Sequence, residues 1–197
     1  MISNHFIPST ASTLPGIRGI EHIGLTVPNL EDATAFFVNI LGCEVVYTLF
    51  PSLPKSDWMT VHFDVHPQAQ RKLRALRCHN GPHLELIEYT SPDQRTQIPK
   101  LSDHGAAHIA FYVDDMDTAI AYLKDKGIKV FGEKKNASGA EAGKDSTFVH
   151  FEAPWGLRLE LISYPHGRYY EKEKECMWSP SLVNREDLWV RDVISRS

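Results

Sequence analysis

The sequence predicts an α+β fold built from two tandem βαβββ modules. Three observations predict it. A strand pattern with histidine in third place occurs twice, as IEHIGLTV at 20–27 and as AAHIAFYV at 106–113. A helical pattern follows each copy. A second strand motif, GPHLELIEY at 81–89, returns as GLRLELISY at 156–164. Internal repetition of this kind is the mark of a duplicated unit.

Both histidine strands alternate with period two, as half-buried strands do. His22, Gly24 and Thr26 share one face, and so do His108, Ala110 and Tyr112. In the first copy Asn29 is placed to cap a helix whose Leu30, Ala33, Phe36, Phe37 and Ile40 fall at helical spacing, with Gly42 ending it. In the second, Asp114 or Asp115 caps MDTAIAYLKDK and Gly127 ends it. Short strands follow at CEVVY and IKVFG. The closing motifs share Gly, Leu, Glu, Leu, Ile and Tyr. Glu85 and Glu160 point one way there, and Leu84, Leu86, Leu159 and Leu161 the other. The histidines lie 86 residues apart and the glutamates 75. The first copy therefore carries about eleven extra residues, assigned to the irregular, partly strand-like excursion PSLPKSDWMTVHFDVHPQAQRK. The predicted organisation is an N-terminal arm over 1–18, a first module over 19–91, a linker over 92–104, a second module over 105–165 and an aromatic-bearing tail over 166–197.

Composition excludes several classes. An apolar share of 42% supplies a core, and a net charge of −4 gives no basic face for nucleic acid. No apolar run is long enough to span a membrane. The first residues do not read as a secretion signal. Cys43, Cys78 and Cys176 are odd in number and far apart, which argues against a disulfide or thiolate site and for a reducing cytoplasm.

A lone strand histidine or glutamate is ordinarily structural. Here both recur at equivalent places in two copies, so a pseudo-twofold axis would bring His22, Glu85, His108 and Glu160 to one cavity. Two carboxylates facing each other there resist ionisation, and a divalent cation removes that cost. Two imidazoles and two carboxylates suit one divalent ion such as Zn, Ni, Co, Mn or Fe(II). Four protein ligands leave coordination positions open, as in catalytic centres.

With these motifs in order, residues 18–165 resemble the vicinal oxygen chelate superfamily, which includes glyoxalase I, methylmalonyl-CoA epimerase, extradiol dioxygenases, fosfomycin-resistance enzymes and bleomycin-binding proteins. The resemblance implies that the two modules form an eight-stranded, cup-shaped mixed sheet around one metal site, with the metal chelating adjacent oxygens of a small substrate. The filled fourth position, Glu85, is similar to the glyoxalase and epimerase pattern. It implies a lyase or isomerase that removes a proton beside a carbonyl, with Glu160 or Glu85 as base. The epimerase pattern also has an acid on the second strand, where this chain offers only Glu44. An Fe(II) extradiol-type dioxygenase using His22, His108 and Glu160 is one alternative, and a drug-binding protein without chemistry is another. His83, Arg158 and Trp155 are candidate substrate contacts, and His150 is a further residue for the cavity. His62 and His66 have helical metal spacing without a placed acid. Open strand edges predict a homodimer.

Overall fold

The computed structural model describes residues 14–17, 19–50 and 57–172. The first half runs β1 (His22–Thr26), α1 (Leu30–Asn39), β2 (Glu44–Leu49), α2 (Trp58–Phe63), β3 (Gln70–Arg77) and β4 (His83–Thr90). The second runs β5 (Ile109–Tyr112), α3 (Met116–Asp125), β6 (Lys129–Val130), β7 (Lys135–Asn136), β8 (Thr147–Glu152) and β9 (Arg158–Ser163). The α+β class and the duplicated unit are as the repeats predict. Residues 91–108 form neither helix nor strand. Most of the predicted tail, from 173 onward, lies outside the described residues, as does most of the arm.

The strands form two separately hydrogen-bonded sheets rather than one eight-stranded sheet. One has the order β1-β4-β3-β2; the other has β5-β9-β8-β6, with β7 also on β8. In each, the histidine strand lies parallel to the glutamate strand, so β1 pairs with β4 and β5 with β9. The helices between β1 and β2 and between β5 and β6 make these crossovers possible. Asn29 and Asp115 cap them, accepting from the backbone N–H groups of Asp32 and Thr118. Gly42 and Gly127 both adopt a φ of 70°, the left-handed conformation that ends a helix without a Cβ clash.

The leucine faces meet the helices. Leu84, Leu86, Leu159 and Leu161 join Val27, Leu30, Phe36, Phe37, Met116 and Leu123 in one buried cluster spanning both halves. Burying one such side chain contributes about 1.5–3 kcal/mol. Trp155 lies in this layer: its ring meets Phe36 edge-on at 5.5 Å and Phe37 at 6.2 Å. This corrects its assignment as a substrate contact, since its partners are on the helix side of the sheets.

Two further expectations are corrected. The excursion contains a helix, α2, with Met59 buried and the Trp58 and His62 rings 4.9 Å apart. His66 lies beyond that helix and accepts from the Gln68 N–H, so it forms no helical pair with His62. Cys43 and Cys78 form a disulfide, although 35 residues separate them. Glu44 pairs with Arg77 across β2 and β3, so the residues just outside that pair face each other, with Cα atoms 4.3 Å apart. Both cysteines are buried. Cys176 lies outside the described residues. Among the described residues, no helix is long and apolar enough to cross a membrane.

Candidate metal centre

Strand register explains how the ligand candidates meet. On β9, Glu160 stands opposite Ala110 on one side and His150 on the other. His108 precedes Ala110 by two residues and so shares its face. The resulting group is tight. Glu160 Oε2 is 2.9 Å from His108 Nε2 and 3.9 Å from His150 Nε2, and the two rings are 5.4 Å apart. All three donors lie within 4.8 Å of one another. His150 was readable as facing the cavity, but only the register makes it a third donor.

The first half repeats the plan with changes. Glu85 stands between Gly24 and Ala75, and His22 stands opposite His83. Glu85 Oε2 is 3.5 Å from His22 Nε2. The place that His150 fills in the second half holds Ala75. Across it, the Tyr47 hydroxyl donates to Glu85 Oε1 at 3.0 Å. Tyr47 was absent from the sequence-based candidates. That hydrogen bond is the main reason its own hydroxyl ionises above the ordinary value. Glu21 bonds His22 Nδ1, raising the imidazole's pKa, and lies 3.9 Å from His83. His150 behaves oppositely, because burial disfavours its charged form. Small residues stand beside the two glutamates, Gly24 next to Glu85 and Ala110 next to Glu160.

The four predicted ligands are thus brought together two by two. Among the described residues, the single cluster of three or more donors within 4.8 Å is His108, His150 and Glu160. His22 and Glu85 form a second half-site. Both carboxylates are mostly covered, with side chains 12% and 17% exposed. Among the described residues their ionic partners are histidines alone, with no lysine or arginine. Nitrogen and carboxylate donors without a competing cation suit a divalent metal.

The remaining candidates divide. His83 is on the open face beside His22. Arg158 shares the Glu160 face, but its guanidinium lies 3.5 Å above the Phe131 ring and 3.6 Å from Glu152. Its buried Nε has no hydrogen-bond partner among the described residues. By register Glu44 is on the same face as Ala75 and Glu85, but it stands at the end of β2 and pairs with Arg77 rather than with the His–Glu pair.

Residues 21–151 match the Glyoxalase/Bleomycin resistance protein/Dioxygenase superfamily. The chain belongs to this superfamily. Its curated relatives include a 2-epi-5-epi-valiolone epimerase from an Actinomyces species, 38% identical over 84% of this chain and 90% of that protein. They also include the human mitochondrial methylmalonyl-CoA epimerase, 28% identical over 78% of this chain and 82% of the relative. These relatives support an enzyme of the isomerase type. A glyoxalase family protein from Bacillus cereus shares the fold, with a TM-score of 0.60 at 14% identity, over 77% of this superfamily member and 98% of that chain.

Proposed function

We propose that the chain is a metal-dependent epimerase acting on a carbon beside a carbonyl, in a small substrate that carries adjacent oxygens. The observation that carries this reading is the His–Glu pair repeated at equivalent register on the open face of both sheets. His22, Glu85, His108 and Glu160 would hold one divalent ion, with His150 beside them. The half-sites sit at β1 and β5, the edge strands of their sheets. They form one centre where those edges meet, within a chain or across a homodimer.

A bound divalent cation would supply Lewis acidity toward the substrate oxygens. The protein's own part is proton transfer. Glu160, set among imidazoles, takes the proton from the carbon beside the carbonyl and leaves an enolate-like substrate. Return of a solvent-derived proton to the opposite face inverts that carbon, and Glu160 gives up its own proton to solvent. A carboxylate base of this kind contributes roughly 10²–10⁴-fold. Glycine and alanine beside the two glutamates leave room for the substrate ring or chain.

Among substrates, a polyhydroxylated cyclic ketone like that in the Actinomyces relative's name is favoured over a malonyl thioester. The identity is higher, 38% against 28%, over more of both chains. On the second strand, where the epimerase pattern has an acid, the open face offers Tyr47.

One observation favours a second reading. His108, His150 and Glu160 alone make a two-imidazole, one-carboxylate set, the donor set of Fe(II) oxygenases. Metal analysis of wild type, Glu85→Ala and Glu160→Ala separates the two. The epimerase reading expects about one ion per four-ligand centre, lost in both variants, and deuterium uptake from D₂O beside the ketone of a valiolone-type substrate. Metal retained in Glu85→Ala, with oxygen consumption on a catechol, would replace it with the dioxygenase reading. No metal in any form would leave a binding protein.

A further inference from the structure

We propose that Tyr47 is a positioning residue that restricts Glu85 to a single ligand oxygen, an inference that rests on the metal-centre reading above. Its hydroxyl occupies Oε1 at 3.0 Å, while Oε2 faces His22 at 3.5 Å. One oxygen is committed to a fixed donor, and the other remains for a cation.

The strand geometry is arranged for this contact. Tyr47 is on β2 and Glu85 is on β4, two strands away and so about 10 Å apart at the backbone. They can touch only by reaching over the residue between them on β3. That residue is Ala75, which pairs with both. A larger side chain there would block the path, as His150 fills the same place in the second sheet. The β2–β3 ladder also shifts register between Val45 and Tyr47. Val45 pairs with Leu76 and Tyr47 with Ala75, so Val46 is the extra residue of a bulge. In an unbroken ladder Val46 would stand opposite Ala75, and no hydroxyl would reach Glu85. Bulges beside functional sites commonly re-aim a side chain in this way.

Partners that orient a metal-bound carboxylate matter for affinity as well as turnover. Removing one typically weakens metal binding by about 10–100-fold. Tyr47 is 45% exposed, so Tyr47→Phe removes the hydroxyl with little change in packing. The test is competition of the full-length protein with a chromophoric chelator for Co(II), together with the absorption spectrum of the Co(II) protein. Wild type, Tyr47→Phe, Glu85→Ala and the double variant are compared. Expected are a 10–100-fold loss in Tyr47→Phe, a changed Co(II) spectrum, and no further loss when Tyr47→Phe is added to Glu85→Ala. Unchanged affinity and spectrum in Tyr47→Phe would overturn the inference while leaving the metal centre standing. So would an equal loss in the Glu85→Ala background, which would make Tyr47 merely structural. Failure of wild type to bind Co(II) would instead remove the metal centre, and this inference with it.

Discussion

The two sheets carry one plan with two different supports. In the second sheet, Glu160 lies between two imidazoles and has no hydroxyl donor among the described residues. In the first, Glu85 lies beside one imidazole and under a tyrosine hydroxyl. Histidine for alanine in the middle row, together with the bulge that brings Tyr47 onto the open face, separates the two arrangements. After duplication, each half can therefore keep the His–Glu pair and alter what surrounds it. The second half gathers two imidazoles around its carboxylate, and the first sets one imidazole and one hydroxyl there.

The largest expected effect tests this division. Glu160→Ala is expected to lower turnover by roughly 10²–10⁴-fold, because the base and a ligand are lost together. His150→Ala, which makes the second row resemble the first, is expected to weaken metal binding by about 10–100-fold while leaving the fold intact. Metal titration and kinetics on the two variants check the order. If His150→Ala binds metal as wild type does, the extra imidazole is not part of the centre, and the halves are more alike than their donors suggest.

The contrast also shows what could be read from sequence. Period-two alternation puts His22 and Glu85 on faces opposite the leucines, and repetition marks them as a set. The paired His–Glu contacts follow from those two facts. Tyr47 was hidden because CEVVYTLF does not reveal a bulge; its face depends on where the ladder slips. The Cys43–Cys78 pair was hidden for a related reason, since adjacency across β2 and β3 is a matter of register rather than spacing. Helix α2 was hidden by its composition. WMTVHF holds valine, threonine and aromatics that favour strands, and packing of Met59 overrides them.

The disulfide gives a second, smaller difference between the halves. By strand register, Cys43 and Cys78 correspond to Ile128 and Ala153 in the second sheet, where Lys129 pairs with Glu152. Apolar packing closes that corner in one half and a covalent bond closes it in the other. Cross-linking residues 35 apart should stabilise by about 2–4 kcal/mol. Cys43→Ala with Cys78→Ala is expected to lower the urea midpoint accordingly, and wild type in reductant should follow it. Because the bond lies within one chain, neither change is expected to alter oligomeric state. An unchanged midpoint would mean that packing alone closes both corners.

The smallest effect concerns how each helix starts. Glu88 on β4 accepts from the Leu30 N–H at 2.8 Å and from Lys72 at 2.9 Å, so a carboxylate sits at the N-terminus of α1. At the matching place, β9 has Ser163. The Lys72 hydrogen bond, then the Leu30 N–H, hold the Glu88 carboxyl below its ordinary value of 4.5. Folding thus favours the ionised form. The contribution is complete above that ordinary value and is lost as pH falls through the depressed one. Glu88→Gln keeps an acceptor for Leu30 but removes the charge from the helix terminus and from Lys72. At neutral pH this should cost about 1 kcal/mol, within the range for a partly covered charged hydrogen bond. Urea unfolding of wild type and Glu88→Gln at neutral pH, and again well below the ordinary value, measures it. The gap between the two proteins should close in acid, where wild type has lost its charge as well. A gap of equal size at both pH values would show that shape rather than charge holds the start of α1, and the two helices would then begin by the same means.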